Sequence, residues 1–289
     1  MSRFAIAGLQ LDLHNADNQD RLEYEIDAAC RRFPWLDMIV IGELAIYGSR
    51  MANAETLPGK AEERMCAAAR RNHIWLLPGS LFEKNGGKIF NTAPVINPDG
   101  EVVARYRKMF PFLPYECEVS AGSEFVTFDV PDVGRFGVSI CYDMWFPETT
   151  RTLAWMGAEV ILHPSMTNTI DRDAELAIAR ANATINQCYF IDINVAGDLG
   201  LGRSAMYGPG GEIIHEAGSG REVIAAELDL EAVRSARQRG WLGLTQPLKS
   251  FRDSNIQFPQ YPLTTRRSSY LDSLGSLTMP TSFTRKGKR

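Results

Sequence analysis

Gly137-Val138-Ser139-Ile140-Cys141-Tyr142-Asp143-Met144-Trp145-Phe146-Pro147-Glu148 is the stretch on which the reading of this chain turns. Its first four residues read as a buried strand, and a helical pattern opens at Pro147-Glu148. Cys141 therefore sits at a strand-to-helix corner, on a tight turn with its sulfur pointing outward. Backbone N–H groups at such a corner lower a thiol pKa and bind an oxyanion. A lone cysteine is more ordinarily a small buried hydrophobe, so two further segments decide the matter.

The first is Met38-Ile39-Val40-Ile41-Gly42-Glu43, four apolar residues of a strand with a carboxylate just past its end. The C-terminal ends of buried strands are where α/β enzymes place their chemistry. The second is Tyr106-Arg107-Lys108-Met109-Phe110-Pro111-Phe112-Leu113-Pro114-Tyr115-Glu116, in which Lys108 and Glu116 lie eight residues apart. Two prolines forbid a regular helix there. A lysine on such a loop supplies fixed positive charge where an oxyanion develops.

Glu43, Lys108, Glu116 and Cys141 together resemble the nitrilase superfamily of carbon–nitrogen hydrolases. The resemblance runs roughly from Phe4 to Phe258 and rests on motifs in order: Gly8-Leu9-Gln10, the Glu43 strand end, Asn91-Thr92-Ala93, Asp99-Gly100 and Tyr106-Arg107-Lys108, then the Cys141 corner with Pro147-Glu148, Ala179-Arg180-Ala181 with Asn186, and Gly202-Arg203-Ser204 leading to Pro209 and Gly211. It implies an α/β fold, a single-domain four-layer αββα sandwich, with a Glu43–Lys108–Cys141 triad and Glu116 as helper glutamate. The Lys108-to-Glu116 segment looks most like the aliphatic amidase and formamidase branch. True nitrilases follow the cysteine with Trp and Glu, where this chain has Tyr142 and Asp143. The carbamoyl-amino-acid hydrolases carry an arginine pair where this chain has Met144 and Trp145.

The chemistry suits these residue types. Amide hydrolysis through a thiol needs a proton acceptor, an oxyanion site, a proton for the leaving amine and an activated water. Cys141 is the expected nucleophile and Glu43 the general base, later acid. Lys108 and the Tyr142 backbone N–H form the expected oxyanion site, and Glu116 holds Lys108 or orients the substrate NH₂. Tyr47, Phe112, Tyr115 and Trp145, close in sequence to these positions, are candidate pocket walls that would favour short acyl chains. His163, closing the strand Val160-Ile161-Leu162, either borders the site or is a hydrogen-bonded strand-end residue. The expected reaction is hydrolysis of a small amide to carboxylate and ammonia through a thioester. The alternatives are a nitrile or an N-carbamoyl compound as substrate, or a scaffold of this fold that binds without catalysis. Arg151, Arg180 and Arg203 remain as possible clamps for a substrate carboxylate.

Bulk properties bound the rest. With 289 residues, 45% hydrophobic and 23% charged, the composition is that of an ordinary globular chain. A net charge of −4 gives no reason to expect nucleic acid. No apolar stretch reaches the roughly 18 residues of a membrane span, and Met1-Ser2-Arg3 leads directly into a strand rather than a signal-peptide core. The five cysteines, Cys30, Cys66, Cys117, Cys141 and Cys188, are odd in number and show no pairing pattern. A cytoplasmic setting follows. The four histidines are scattered without ligand spacing, so neither metal nor cofactor is expected.

Strand patterns cover 4–12, 37–41, 74–77, 90–96, 102–106, 137–140, 160–163, 189–194, 204–207, 212–215 and 223–228, with helices over 18–32, 61–72, 148–156, 171–186 and 230–239. Residues 1–245 form the expected hydrolase domain. In 246–289, Pro, Ser and Thr become frequent. The anchors Phe251, Phe258, Tyr261 and Tyr270 suggest an arm crossing onto a partner subunit. Beyond about 272 a flexible tail is expected, and Arg266, Arg267, Arg285, Lys286, Lys288 and Arg289 make the segment basic. A homodimer or larger homo-oligomer is what the family resemblance implies.

Overall fold

Alternating and helical apolar patterns lay the chain out as follows in a computed structural model, which describes residues 3–261 and 269–279. The first half holds β1 (Arg3–Gln10), β2 (Asp12–Leu13), α1 (Gln19–Arg32), β3 (Met38–Ile41), α2 (Lys60–Asn72), β4 (Trp75–Leu77), β5 (Leu81–Asn85), β6 (Lys88–Ile96) and β7 (Val102–Arg107). The second half holds β8 (Val126–Val130), β9 (Gly134–Val138), α3 (Pro147–Trp155), β10 (Val160–Ser165), α4 (Asp171–Asn186), β11 (Tyr189–Asn194), β12 (Ala196–Gly197), β13 (Ala205–Tyr207), β14 (Ile213–Glu216), β15 (Glu222–Asp229) and α5 (Leu230–Arg239). Two short helices follow, α6 (Pro247–Arg252) and α7 (Ser269–Ser273).

Among these residues the strands form two main sheets. One runs β15-β1-β3-β4-β6-β5, with β7 also on β6, and the other runs β14-β13-β11-β10-β9-β8. β15 returns to the first sheet and pairs antiparallel with β1 from Arg3↔Asp229 to Gln10↔Glu222. It thereby ties the end of the second half to the start of the first.

Side-chain alternation sorts the core into three layers. Ile6, Val40, Val95, Phe136, Val138, Leu162, Ile191 and Ile224 meet between the two sheets. Their neighbours point the other way: Ala7, Leu9, Ile39 and Ile41 pack with Leu22, Ile26, Met65 and Ala68 of α1 and α2. On the far side, Ile161 and Phe190 pack with Leu153, Ala179 and Ala183 of α3 and α4. Three apolar interlayers make four layers, helix–sheet–sheet–helix, as the family resemblance implied. Strands buried on both faces read as near-continuous apolar runs, which is why β3, β10 and β11 stand out in the sequence.

Helix ends follow local rules. Asp229 caps α5 by accepting the Glu231 N–H at 3.0 Å, and Gly240 closes that helix with φ 84°. β5 and β8 were not expected. β5 carries Glu83 and Lys84, which look like loop residues, yet Glu83 is 3% exposed because Arg107 pairs with it at 2.5 Å. β8 pairs only with β9, at an edge of its sheet. The C-terminal arm folds back on its own chain here: Phe251 meets Trp155 of α3 edge-on at 5.9 Å, and Phe258 and Tyr261 continue the aromatic row. Tyr270 is 72% exposed. The basic positions Arg266, Arg267, Arg285, Lys286, Lys288 and Arg289 lie outside the described residues. No helix among the described residues is long and apolar enough to cross a membrane.

Candidate active site

The C-terminal ends of β3 and β10 face each other across the two sheets. Gly42 permits the approach: a Cβ there would fall 2.8 Å from the Val195 nitrogen and 2.9 Å from the Ser165 carbonyl oxygen. The next residue, Glu43, donates its backbone N–H to Ser165 at 3.1 Å, so the carboxylate leaves the first sheet at its contact with the second. Its side chain is 2% exposed.

Glu43 Oε1 accepts from Asn91 Nδ2 and from Lys108 Nζ, each at 2.8 Å. Asn91 stands on β6, and its carbonyl takes the Lys108 N–H at 2.8 Å as the chain leaves β7. Lys108 Nζ also reaches Glu116 Oε2 at 2.9 Å, and that oxygen receives the Phe112 N–H as well. The ammonium is thus gripped by two carboxylates on a loop whose aromatics face outward.

Cys141 occupies the corner after β9 with φ 47°, a left-handed backbone that a side-chain-bearing residue adopts only under constraint. Asp143 supplies the constraint. Its Oδ2 accepts the Ile140 N–H at 2.8 Å and the Tyr106 hydroxyl at 2.6 Å, and its Oδ1 accepts the Phe110 N–H at 2.9 Å. One buried carboxylate therefore fixes the cysteine corner and staples it to the Lys108 loop. Tyr142 lies in the first turn of the short helical segment Cys141–Trp145, whose leading N–H groups have no carbonyl partner within it. Thr167 Oγ1 lies 3.8 Å from the Cys141 sulfur, and the Glu43 and Lys108 charges both act on the thiol.

The electrostatics follow from burial. Burial pushes the Glu43 carboxyl up, against the pull of Lys108, into the direction a general base requires. Burial and the Glu43 charge also push the Cys141 thiol well up, so the resting sulfur keeps its proton. Burial alone would lower Lys108, but Glu43, Cys141 and Glu116 outweigh it and hold the ammonium charged. Burial raises Asp143 to about 6 against its hydrogen bonds.

The fold brings Glu43, Lys108, Glu116 and Cys141 together. Of the expected pocket residues, Phe112 stacks on Tyr115 at 4.9 Å and meets Tyr142 edge-on at 5.0 Å, while Trp145 lies 6.3 Å from Tyr142. These rings form one aromatic wall. Tyr47 does not join it. Its hydroxyl donates to Glu55 at 2.6 Å and accepts from Gln19, and its ring packs into the interlayer under α1 and α2. The turn after Glu43 has carried it to the other side of the sheet. His163 is not a wall either: alternation on β10 puts it on the helix-facing side, 2.7 Å from Ser139 Oγ and 5.0 Å from the Phe190 ring. Burial lowers it to about 4, so it is neutral and braces the strand beneath Cys141. Asn91, Asp143 and Thr167 were not singled out for the site. Asn91 and Asp143 sat inside motifs already noticed. Nothing local marks Thr167.

A carbon–nitrogen hydrolase family model matches residues 3–238. Human omega-amidase NIT2 is 31% identical over 254 residues, 82% of this chain and 92% of that protein. Among solved structures, Nit3 of Saccharomyces cerevisiae, described as a member of branch 10 of the nitrilase superfamily, aligns with a TM-score of 0.76 at 30% identity over 82% of this chain and 94% of its own. A carbon–nitrogen hydrolase from Helicobacter pylori gives 0.78 at 24% identity over 91% and 99%, a likeness of fold.

Proposed function

The chain belongs to the carbon–nitrogen hydrolase family, and we propose that it hydrolyses a small neutral amide to carboxylate and ammonia through a thioester on Cys141. The observation that carries this reading is the meeting of Glu43, Lys108 and Cys141, with Lys108 Nζ 2.8 Å from the Glu43 carboxylate and both charges bearing on the buried thiol.

The steps follow from that geometry. Glu43 takes the thiol proton as Sγ attacks the carbonyl carbon. The oxyanion that forms is met by Lys108 Nζ and the Tyr142 N–H, donors already in place. Glu43 returns its proton to the leaving nitrogen, and ammonia departs. Glu43 then removes a proton from water, whose oxygen attacks the thioester carbon. Collapse releases the carboxylic acid product and restores the thiol. Glu116 keeps Lys108 charged and aimed throughout.

A neutral acyl group is supported by what the candidate arginines do. Arg151 lies over the Phe251 ring at 5.6 Å, Arg180 donates to the Gly211 carbonyl, and Arg203 pairs with Asp173. None is directed at the aromatic wall. A substrate carboxylate left unpaired there would cost several kcal/mol, on the order of 3 to 5. The omega-amidase relatives support an amide rather than a nitrile. Exposed Trp155, Leu242 and Leu244 beside the C-terminal arm support a homo-oligomer built around residues 1–245 with 246–289 as an extension. Five unpaired cysteines among the described residues support a reducing, cytoplasmic setting.

The test is ammonia release, as kcat/KM, for acetamide and propionamide against carbamoyl-glycine, carbamoyl-alanine and propionitrile. Amides are expected to lead. A preference of about tenfold or more for a carbamoyl acid or the nitrile, equivalent to about 1.4 kcal/mol, overturns the substrate assignment.

A further inference from the structure

Behind the sulfur lies a buried polar chain that the mechanism above does not use. Thr167 Oγ1, 3.8 Å from Cys141 Sγ, donates to Glu175 Oε1 at 2.9 Å. Glu175 Oε2 receives Arg172 Nη1 at 3.1 Å, and Arg172 Nη2 pairs with Asp192 Oδ2 at 2.7 Å. Asp192 Oδ1 accepts from Ser165 Oγ at 2.9 Å. Thr167 itself is clamped by one side-chain amide: its N–H donates to Asn194 Oδ1 at 2.8 Å, and its carbonyl accepts from Asn194 Nδ2 at 3.0 Å. Arg172, Glu175 and Asp192 are 1%, 3% and 0% exposed.

Buried charges are poor stabilisers, because desolvation offsets their attraction, and apolar residues of similar volume commonly do as well. Here three of them converge on holding one hydroxyl beside one thiol. We propose that Thr167 and Glu175 form a hydrogen-bond switch that positions and stabilises the Cys141 thiolate, a role that rests on Cys141 being the nucleophile. In the resting site the sulfur is protonated and the Thr167 hydroxyl faces Glu175. When the thiol proton passes to Glu43, charge appears on Sγ. The Thr167 hydroxyl then turns about its Cβ–Oγ1 bond and donates to the sulfur. Its proton never leaves the oxygen, and Glu175 stays compensated by Arg172. As the thioester forms and the sulfur loses its charge, the hydroxyl turns back. The charged groups facing Glu175 are Arg172 on its own helix, Asp192 from β11 and, beyond Thr167, Cys141 with Glu43 and Lys108. Thr167 and Glu175 are thus positioning residues acting through the thiol.

The experiment measures alkylation of Cys141 by iodoacetamide across pH in the full chain, read on the Cys141 peptide, together with kcat and KM. Thr167→Val is expected to move the alkylation midpoint up by about one pH unit and to lower kcat about tenfold with KM unchanged. Thr167→Ser keeps the oxygen and recovers most of that loss. Glu175→Gln is expected to move the midpoint down, since its amide donates to Thr167 Oγ1, frees the hydroxyl for the sulfur and removes a nearby negative charge. A purely structural pair would shift both variants the same way. A folded Thr167→Val with the wild-type alkylation profile overturns the switch, as does an upward shift in Glu175→Gln. Should Glu175→Gln not fold, the two Thr167 variants decide alone. Full turnover in Cys141→Ala would instead sink the nucleophile reading, which separates that failure from failure of the switch.

Discussion

The two sheets bring their groups to the site by different means. The first sheet and its loops contribute Glu43, Lys108 and Glu116, held by charge: one ammonium lies between two carboxylates at 2.8 and 2.9 Å. The second contributes Cys141, held by a left-handed backbone and by neutral donors at Asp143, with the thiol protonated at rest. Preset charge sits on one rim and a buried, uncharged thiol on the other. Oriented charge in a dry site costs nothing to reorganise when the reaction begins. A thiol that ionises only on demand avoids a standing buried anion. The contrast predicts that charge-rim variants hurt catalysis more than folding, and that variants of the corner's support hurt folding as well.

The largest effect is expected at Cys141. Cys141→Ala and Cys141→Ser should fold and lose essentially all ammonia release. Substantial turnover in the alanine variant would break the comparison outright. On the charged rim, Lys108→Ala and Glu43→Gln should each lower kcat by about two decades or more, roughly 3 kcal/mol of transition-state stabilisation. A wild-type rate in Glu43→Gln would remove it from the chemistry.

Asp143→Ala tests the corner's support. It strands the Tyr106 hydroxyl and the Ile140 and Phe110 N–H groups, and should lower unfolding stability by about 4 kcal/mol. An unchanged urea midpoint would show that the corner holds itself.

The pH dependence of stability sharpens the same point, because the two buried supports carry opposite signs. His163 titrates near about 4 in the fold against 6.5 as its ordinary value, so the unfolded chain binds its proton first and stability falls as pH drops from 6.5 to 4. Asp143 titrates near about 6 against 3.8, so the folded chain keeps its proton longer and stability falls as pH rises from 4 to 6. Each amounts to about 3 kcal/mol across its window, and the two largely cancel. Relative to wild type, His163→Gln should become less stable as pH rises from 4 to 6, and Asp143→Asn more stable. Tm measured at half-unit steps checks this, and parallel profiles for all three proteins would refute it. The smallest effect is expected far from either rim. Phe251→Ala, which loses the edge contact with Trp155, should leave kcat unchanged and cost about 1 kcal/mol. A large fall in kcat would tie the C-terminal arm to the site.

Much of this was readable in the chain. β3, β10 and β11 are largely apolar runs, and Glu43 and Cys141 mark strand ends. Lys108 and Glu116 stand on a proline-broken loop, where a lysine among aromatics is conspicuous. β5 escaped notice because Glu83 is buried only through its partner Arg107. Tyr47 is near the site in sequence but not in space, since a single turn carries its side chain to the opposite face, and strand alternation puts His163 behind the Cys141 corner rather than in the pocket wall. Thr167 carries no local mark at all. Its partners, Cys141, Glu175 and Asn194, are scattered along the chain and meet only when the second sheet and α4 pack.

The sequence by itself determined the elements, the residue types that can do the chemistry and their family, because periodicity and strand-end placement are local properties. The packing of the two sheets decided that Glu43 and Lys108 pair beside the Cys141 corner, that Asp143 joins the two loops, and which rings make the wall. Those depend on how closely two sheets approach at Gly42, and on the rise in carboxyl and thiol pKa that comes from shared burial. No window of the chain carries either quantity.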